Sequence, residues 1–239
     1  MRQSRVTERK CGDPAGNLTQ RVDLKQNVTE TIYYDALNRF DYSQRNGTTN
    51  ADVTLDAIGN ISWKQGIGSY TYHATKRRAV ISAGGNSYGY DADGNMTTRN
   101  GSSISYTSYD LPSMINAGSN SSTLYYGANR NRYKQVAITA GANETTIYVG
   151  GILEKVTRGS LTEYRHLIAG GKGIAAIYTR PSTGSPATYY VHTDHLGSPE
   201  LITNSAGAQV VKLSFGAYGE RRGSNWTGTP STGDWTAIG

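Results

Sequence analysis

Cysteine, phenylalanine and long apolar runs are scarce in this chain of 239 residues. The single cysteine, Cys11, excludes an internal disulfide framework and a cysteine-rich zinc site. No apolar run is long enough to predict a membrane-spanning helix, and the N-terminal residues carry charge without the apolar stretch of a signal peptide. We therefore expect a chain that is made in the cytoplasm, does not span a membrane and is held together by packing alone.

Charged residues are also few, at 18%, while hydrophobic residues make up 36%. The 24 Lys and Arg exceed the 18 Asp and Glu by six, but the cations are dispersed, which argues against specific nucleic-acid binding. The chain is rich in glycine, with 29 residues, and its 18 tyrosines contrast with two phenylalanines. This composition favours half-exposed β-strands joined by tight turns and argues against a helical bundle.

A short phrase, Asp-x-x-Gly-Asn-apolar, recurs along the first half of the chain. We assign its first position to residues 13, 35, 56, 73, 91 and 110, so the repeat is about twenty residues long. The predicted turn residues are Asp13, Gly16 and Asn17; Asp35 and Asn38; Asp56, Gly59 and Asn60; Asp91, Gly94 and Asn95; and Asp110, which opens the last degenerate copy.

The residue types of this phrase are those of a hairpin turn. Aspartate can accept hydrogen bonds from the N–H groups of its own turn, and glycine or asparagine tolerates the left-handed conformation that returns the chain. The flanking residues alternate as in strands, with Tyr, Thr, Ser and Asn on both faces instead of the apolar stripe of a sandwich. The sequence thus predicts an all-β fold of antiparallel hairpins that wind as one continuous curved sheet, wetted on both faces.

These phrases carry a resemblance to a known family. Tyr-Asp-Ala-Asp-Gly-Asn at 90–95 resembles the YD repeats of Rhs proteins, and residues 192–199 with 216–220 are similar to the end of an Rhs core. The residues of this core-ending motif are His192, Asp194, His195, Gly197 and Gly219. The resemblance divides the chain into a core, 1–222, with regular repeats at 12–115, looser repeats at 125–180 and the motif at 189–222, followed by a Gly/Ser/Thr-rich tail, 223–239.

The resemblance also implies a function. In Rhs cores, as in the similar toxin-complex C subunits and teneurins, the repeats coil into a hollow β-sheet shell. This implies a non-catalytic, cofactor-free shell segment that encloses a C-terminal toxin or effector, a cargo absent from this chain, for use in bacterial competition. Its expected partners are that cargo or the remainder of the shell. We expect delivery by a carrier system as part of a larger protein, and self-association wherever strand edges are exposed.

Two other functions remain open at this stage. His192, Asp194 and His195 could form a small hydrolase or metal site, but in a strand residues 192 and 194 share a face that 195 does not. A further ligand such as His166 or Glu163 would also be needed, so we expect turn-forming roles and no metal. Alternatively, Tyr34, Tyr42 and Tyr90 could face a glycan as part of a carbohydrate-binding or adhesion module, because tyrosine rings can cover the apolar faces of sugars.

Overall fold

A computed structural model describes residues 8–171, 173–194, 196–228 and 230. Every regular element in these residues is a β-strand. The strands are β1 (Glu8–Gly12), β2 (Leu18–Asp23), β3 (Val28–Tyr34), β4 (Phe40–Arg45), β5 (Thr48–Leu55), β6 (Ile61–Lys64), β7 (Gly68–Tyr72), β8 (Val80–Ala83), β9 (Asn86–Tyr90), β10 (Met96–Arg99), β11 (Ser102–Tyr106), β12 (Pro112–Ala117), β13 (Asn120–Tyr126), β14 (Arg132–Thr139), β15 (Ala142–Val149), β16 (Leu153–Arg158), β17 (Leu161–Gly170), β18 (Gly173–Pro181), β19 (Ala187–Thr193), β20 (Pro199–Asn204), β21 (Gln209–Lys212), β22 (Ser214–Phe215) and β23 (Arg221–Arg222).

Strands pair antiparallel with the strand that follows them in the sequence, as in β1 with β2, β13 with β14 and β17 with β18. Twenty-one strands belong to one sheet, and β22 and β23 form a separate pair. The predicted all-β, repeat-built antiparallel fold is therefore confirmed. No helix among the described residues has the length and apolarity needed to cross a bilayer.

The chain divides into two compact units, here called unit 1 and unit 2. Unit 1 combines residues 1–70 with 192–239, and it contains most of the buried apolar side chains. These are Val28 and Val53 from the N-terminal strands and Leu201, Ile202, Val211, Leu213 and Trp226 from the C-terminal segment. The expectation that both faces of the sheet are wetted is wrong for this unit, because the C-terminal segment, 192–228, contacts β2, β3 and β4 through Arg21, Glu30 and Arg45.

Unit 2 comprises residues 71–191 and contains β8 to β18 with most of β19. Its buried apolar residues are few and small: Ala83, Val156 and Ala176. Large apolar and aromatic side chains such as Tyr125, Ile147 and Tyr164 are instead exposed. The strands of unit 2 are thus held mainly by their ladders and by cross-strand side-chain pairs.

Candidate functional site

The recurring turn is the unit from which both halves of the chain are built. At Asp13, the backbone N–H bonds the carbonyl of Asn17 at 2.9 Å, and the N–H of Gly16 bonds the carbonyl of Asp13 at 3.0 Å. The same pair of backbone bonds recurs in turns that begin at residues 35, 56, 91, 107, 127, 194, 204, 216 and 223. The residue at the fourth position always has a positive φ, from 58° at Asn38 to 96° at Gly94. Among the looser repeats, the turn that begins at Gly127 has this form, and so does the turn of the core-ending motif at Asp194.

Where the first residue of the turn is polar, its side chain holds the turn closed. The Asp56 carboxylate accepts from the backbone N–H groups of Ile58 and Asn60, at 2.9 and 2.8 Å, and from the Asn60 side chain at 3.2 Å. Asp91 and Asn95 repeat this arrangement. Elsewhere the hydroxyl of Thr107 and the amide oxygen of Asn204 take the place of aspartate. The imidazole of His73 accepts in a similar way, but in a longer loop in which the His73 N–H bonds the carbonyl of Ala79.

These contacts lower the pKa values of the turn carboxyls. The pKa of Asp13 is lowered chiefly by the hydrogen bond from the Asn17 side chain. That of Asp35 is lowered first by the backbone N–H of Arg39. At Asp56 and Asp91, desolvation favours the neutral acid, but bonds from Asn60 and Asn95 outweigh it and the pKa is again lowered. All four carboxylates are held in the charged form that accepts hydrogen bonds best.

In four repeats, a tyrosine hydroxyl bonds the repeat to the one before it. The hydroxyl of Tyr34, the residue before the turn at Asp35, donates to the carbonyl of Leu18, which directly follows the preceding turn, at 2.9 Å. The same bond, at 2.8 or 2.9 Å, joins Tyr90 to Val80, Tyr106 to Met96 and Tyr126 to Pro112. Burial is the main cause of the raised pKa values of Tyr34 and Tyr90. The tyrosine of the Tyr-Asp phrase is therefore an inter-repeat tether.

Neighbouring turns are also linked to one another. The Asn17 side chain donates to the Asn38 side chain at 3.1 Å, and Asn95 donates to Asp110 at 2.9 Å. In both cases the fifth residue of one turn contacts the fourth residue of the next turn. A short polar side chain at the fourth position thus makes a hydrogen bond that glycine, which has no side chain, could not make. This bond offsets the energetic cost of the positive φ.

Asp110 corrects the predicted repeat register. The sequence suggested that it opens a turn, but the turn begins at Thr107, and Asp110 occupies the fourth position with a φ of 64°. The true counterpart of Tyr-Asp is Tyr106-Thr107, in which the threonine hydroxyl accepts in place of a carboxylate. Tyr109-Asp110 carries the letters of the phrase three positions later, although the turn begins at Thr107.

The core-ending motif is a further copy of the turn. Asp194 accepts from the N–H groups of Leu196 and Ser198 at 2.8 and 2.9 Å, and Gly197 has a φ of 88°. Gly219 takes the same place in the turn that begins at Gly216. His195 lies outside the described residues. Asp194 therefore closes a turn, and its Oδ1 atom is occupied by backbone donors.

The remaining members of the predicted metal or hydrolase set have separate partners. A ring nitrogen of His192 lies 3.1 Å from the hydroxyl of Thr203. In unit 2, the ring of His166 lies 5.8 Å from that of Tyr178, and Glu163 pairs with Arg165 at 2.6 Å. Across the described ranges, no three His, Cys, Asp or Glu side chains are grouped so as to hold a metal ion.

A buried ionic cluster, here called the clasp, attaches the C-terminal segment to the N-terminal strands of unit 1. Glu30 on β3 is only 3% exposed and accepts from Arg222 on β23 at 2.7 Å and from Arg21 on β2 at 2.6 Å. Ser43 and Asn50 also donate to Glu30, at 3.2 and 3.1 Å. Four donors therefore surround one carboxylate in a water-poor place.

A second ionic contact lies beside the clasp. Lys212 pairs with the buried carboxylate of Asp23, which also accepts from Gln26 at 2.7 Å. Desolvation opposes ionisation of Asp23, but Lys212 and Gln26 prevail and lower its pKa to about 2. Gln26 in turn donates to the carbonyl of Ser224 at 3.0 Å. This contact thus ties both β21 and the residues after β23 to the N-terminal strands.

Trp226 completes the attachment of the C-terminal segment. It is 1% exposed, and the guanidinium of Arg21 lies 4.5 Å from its ring centroid. Arg45 holds the preceding residue through the carbonyl of Asn225 at 2.8 Å. No sequence pattern pointed to the clasp, since Glu30 and Arg222 are 192 positions apart.

The tyrosines predicted to face a glycan have other contacts. Tyr34 and Tyr90 are tethers, while Tyr42 stacks on Tyr33 with ring centroids 4.2 Å apart. An open groove of about 740 Å³ lies instead in unit 2, with Tyr126, Arg132, Tyr133 and Tyr148 among its lining residues.

Comparisons with known proteins find structural similarity alone. No family model matches the chain, and no curated protein sequence matches it either. Among solved structures, it is similar to a chain in the crystal structure of TcdB2-TccC3-Cdc42, with 12% identity, a TM-score of 0.44 and 89% of this chain covered. It is also similar to a chain in TcdB2-TccC3-TEV, with 11% identity, a TM-score of 0.47 and 95% covered. The match spans only 16% of each of those longer chains.

Proposed function

We propose that this chain is a non-catalytic wall segment of an Rhs-like shell that encloses and shields a C-terminal toxin or effector. The observation that carries the proposal is the repeated hairpin turn with its tyrosine tether. Four repeats are fastened to the preceding one by a bond such as Tyr90 to Val80, so the structure can extend by adding repeats. That is the construction a long enclosing wall requires.

The sparse core of unit 2 also supports a wall. A ligand-binding or catalytic globule of this size generally buries a large apolar interior, whereas unit 2 buries Ala83, Val156 and Ala176. Its strands are stabilised within the sheet, so a second covering layer is not needed for their pairing. The action we assign to such a wall is mechanical: it keeps the cargo away from its substrate and from proteases.

The clasp has a specific place in this proposal. In Rhs-like cores the cargo follows the core-ending motif. In this chain, Arg222 and Trp226 anchor the segment that ends the motif and leads toward the position of such a cargo. We assign to the clasp the role of holding this end of the wall fixed while the cargo is inside. The partners are then the cargo and the rest of the shell, and the assembly is delivered from the cytoplasm by a carrier system as part of a larger protein.

A protease-protection experiment tests enclosure. The complete reading frame that contains this chain is expressed, and cleavage of any domain that follows Gly239 is compared with cleavage of the same domain alone. We expect protection in the intact product and faster cleavage in Glu30→Gln, which loosens the clasp. Glu144→Gln, which disturbs one half-exposed ion pair in unit 2, serves as the matched control. Equal cleavage of the free and attached domains, or a frame that encodes no further domain, would overturn the proposal.

The groove favours a second candidate function, carbohydrate binding. The exposed ring of Tyr133 and the nearby Arg132 offer an apolar face and hydrogen-bond donors at its edge. A glycan array probed with the whole chain and with Tyr133→Ala tests this function. Hits that vanish in the variant support it, whereas an array without hits rejects it.

A further inference from the structure

The pairing register of unit 2 places a row of cations and rings on one face of the sheet. Following directly opposed residues from β13 to β18 gives Tyr125, Lys134, Ile147, Lys155, Tyr164 and Arg180, here called the basic row. Tyr125, Ile147 and Tyr164 are 37–38% exposed, and Arg180 is exposed as well. Apolar or aromatic side chains thus alternate with cations across six strands.

The acidic residues of the same strands all lie on the opposite face. β13 to β18 contain three acids, Glu144, Glu154 and Glu163. Each is an odd number of residues from the member of the basic row on its own strand, so its side chain points to the other face of the sheet. Arg158 pairs with Glu144 at 2.5 Å and Arg165 with Glu163 at 2.6 Å. The opposite face is therefore neutralised internally, while the face of the basic row carries positive charge alone.

The cations of the basic row are available to a partner. Lys134 lies 4.9 Å from the ring centroid of Tyr125, a contact that leaves its charge uncompensated. Among the described residues, Lys155 and Arg180 have neither an ion pair nor a side-chain hydrogen bond. The rows on either side of the basic row contribute threonine, valine, leucine, histidine and tyrosine side chains, with no acid among the described residues. An anionic ligand would thus meet no local repulsion.

The spacing of the cations selects among anionic ligands. Neighbouring strands lie about 4.8 Å apart, so cations on every second strand repeat at about 9.5 Å. Double-stranded DNA carries a charge about every 3.4 Å along each strand, so most phosphates along the row would lack a cation. A polyproline II segment advances about 9.3 Å per three-residue turn, which brings one side chain per turn onto each cation. Such segments also dock on exposed aromatic rings.

We propose that the basic row binds an extended, acidic polypeptide segment in polyproline II conformation, with Asp or Glu at every third position. Its carboxylates contact Lys134, Lys155 and Arg180, and its apolar residues contact the rings and Ile147 between them. Because adjacent strands rotate relative to one another, the segment must wind slightly along the row, which a partly flexible chain allows.

Binding of synthetic peptides to the whole chain, followed by fluorescence anisotropy, tests the proposal. The probe is a labelled peptide of Glu-Pro-Pro triplets, compared with a peptide of identical composition whose glutamates are clustered at one end. We expect the triplet peptide to bind at least about tenfold more tightly and to lose affinity as salt rises. Equal affinities of the two peptides, or no binding of the triplet peptide, would overturn the spacing argument without any variant.

Charge reversal identifies the face. Lys155→Glu is expected to weaken triplet binding about five- to tenfold, while Lys25→Glu, an equal charge change at an exposed turn of unit 1, leaves it unchanged. Similar losses in both variants would refute the assignment. So would single-stranded DNA or heparin that binds more tightly than the peptide and depends equally on Lys155. Enclosure of a cargo is measured independently, so either proposal can fail without the other.

Discussion

Replacing Glu30 by glutamine tests the clasp most severely. The substitution keeps the size of the side chain and removes the charge that Arg21 and Arg222 share at 2.6 and 2.7 Å. Arg222 is 7% exposed, so its guanidinium cannot recover full hydration in the folded protein. The variant therefore leaves two cations close together with a neutral amide between them.

The expected loss of stability follows from this burial. Removing one partner of a buried ion pair costs about 3–5 kcal/mol, because the other partner remains uncompensated. Glutamine retains one acceptor oxygen, which places Glu30→Gln near the lower limit, about 3 kcal/mol. Glu144→Gln removes a single pair whose side chains are 37–40% exposed, and exposed pairs contribute about 0–1 kcal/mol.

Urea denaturation of both variants measures the difference, and limited proteolysis locates it. In Glu30→Gln we expect early cleavage around residues 223–228, because the segment that carries Trp226 is released first. Adding Arg222→Gln should restore part of the lost stability, since one unpaired cation is then removed. A loss below 1 kcal/mol, or one equal to that of Glu144→Gln, would show that the clasp does not hold the segment.

Three further predictions concern the turns, the tethers and acid stability. The pKa of Asp23 is about 2 in the folded protein and about 4 in the unfolded chain, so its stabilisation is complete above pH 4 and is lost as the pH falls toward 2. When the free energy of unfolding is measured against pH, the wild type should lose about 2 kcal/mol more than Asp23→Asn. Equal curves for the two proteins would contradict this. Tyr90→Phe removes the hydrogen bond to the carbonyl of Val80 and should lower the free energy of unfolding in urea by about 1 kcal/mol. Tyr88→Phe removes no such tether and should lower it by less. The reverse order would count against the tether. Gly94→Ala places a side chain on a residue with a φ of 96° and should lower the stability measured by thermal unfolding by at least about 1 kcal/mol. Gly171→Ala is the control and should be neutral, because Gly171 has no positive φ and an added Cβ would meet no atom within 4 Å. Equal effects of the two substitutions would reject the turn geometry.

Local features could be predicted from the sequence because their partners are close in the chain. Asp56, Gly59 and Asn60 form one turn, and each role follows from the residue type. The residue type also predicts Asn38 as a substitute for glycine, and its φ is 58°. The Tyr-Asp phrase predicts a turn, but it does not predict the bond from the Tyr90 hydroxyl to the preceding repeat.

Substitution of chemically similar acceptors limited the repeat assignment. Thr107 performs the role of aspartate with a hydroxyl, so the turn carries none of the expected letters and Asp110 was assigned to the wrong position. The clasp was missed for another reason: Glu30 and Arg222 become neighbours only when the C-terminal segment folds back within unit 1.

Charge segregation in unit 2 was likewise invisible in the linear sequence. Lys155 stands directly beside Glu154, and the two separate onto opposite faces only because the chain is extended there. The register then aligns Lys155 with Ile147 and Tyr164. Dispersed cations therefore became one row through strand pairing, a step that composition cannot reveal.

Imaging the complete gene product by electron cryo-microscopy tests the central proposal most directly. We predict a hollow wall of antiparallel strands that contains residues 8–228, with density for the following domain inside the wall. A following domain that stands outside, exposed to solvent and joined only by a linker, would contradict the shell function even if every hairpin described above were present.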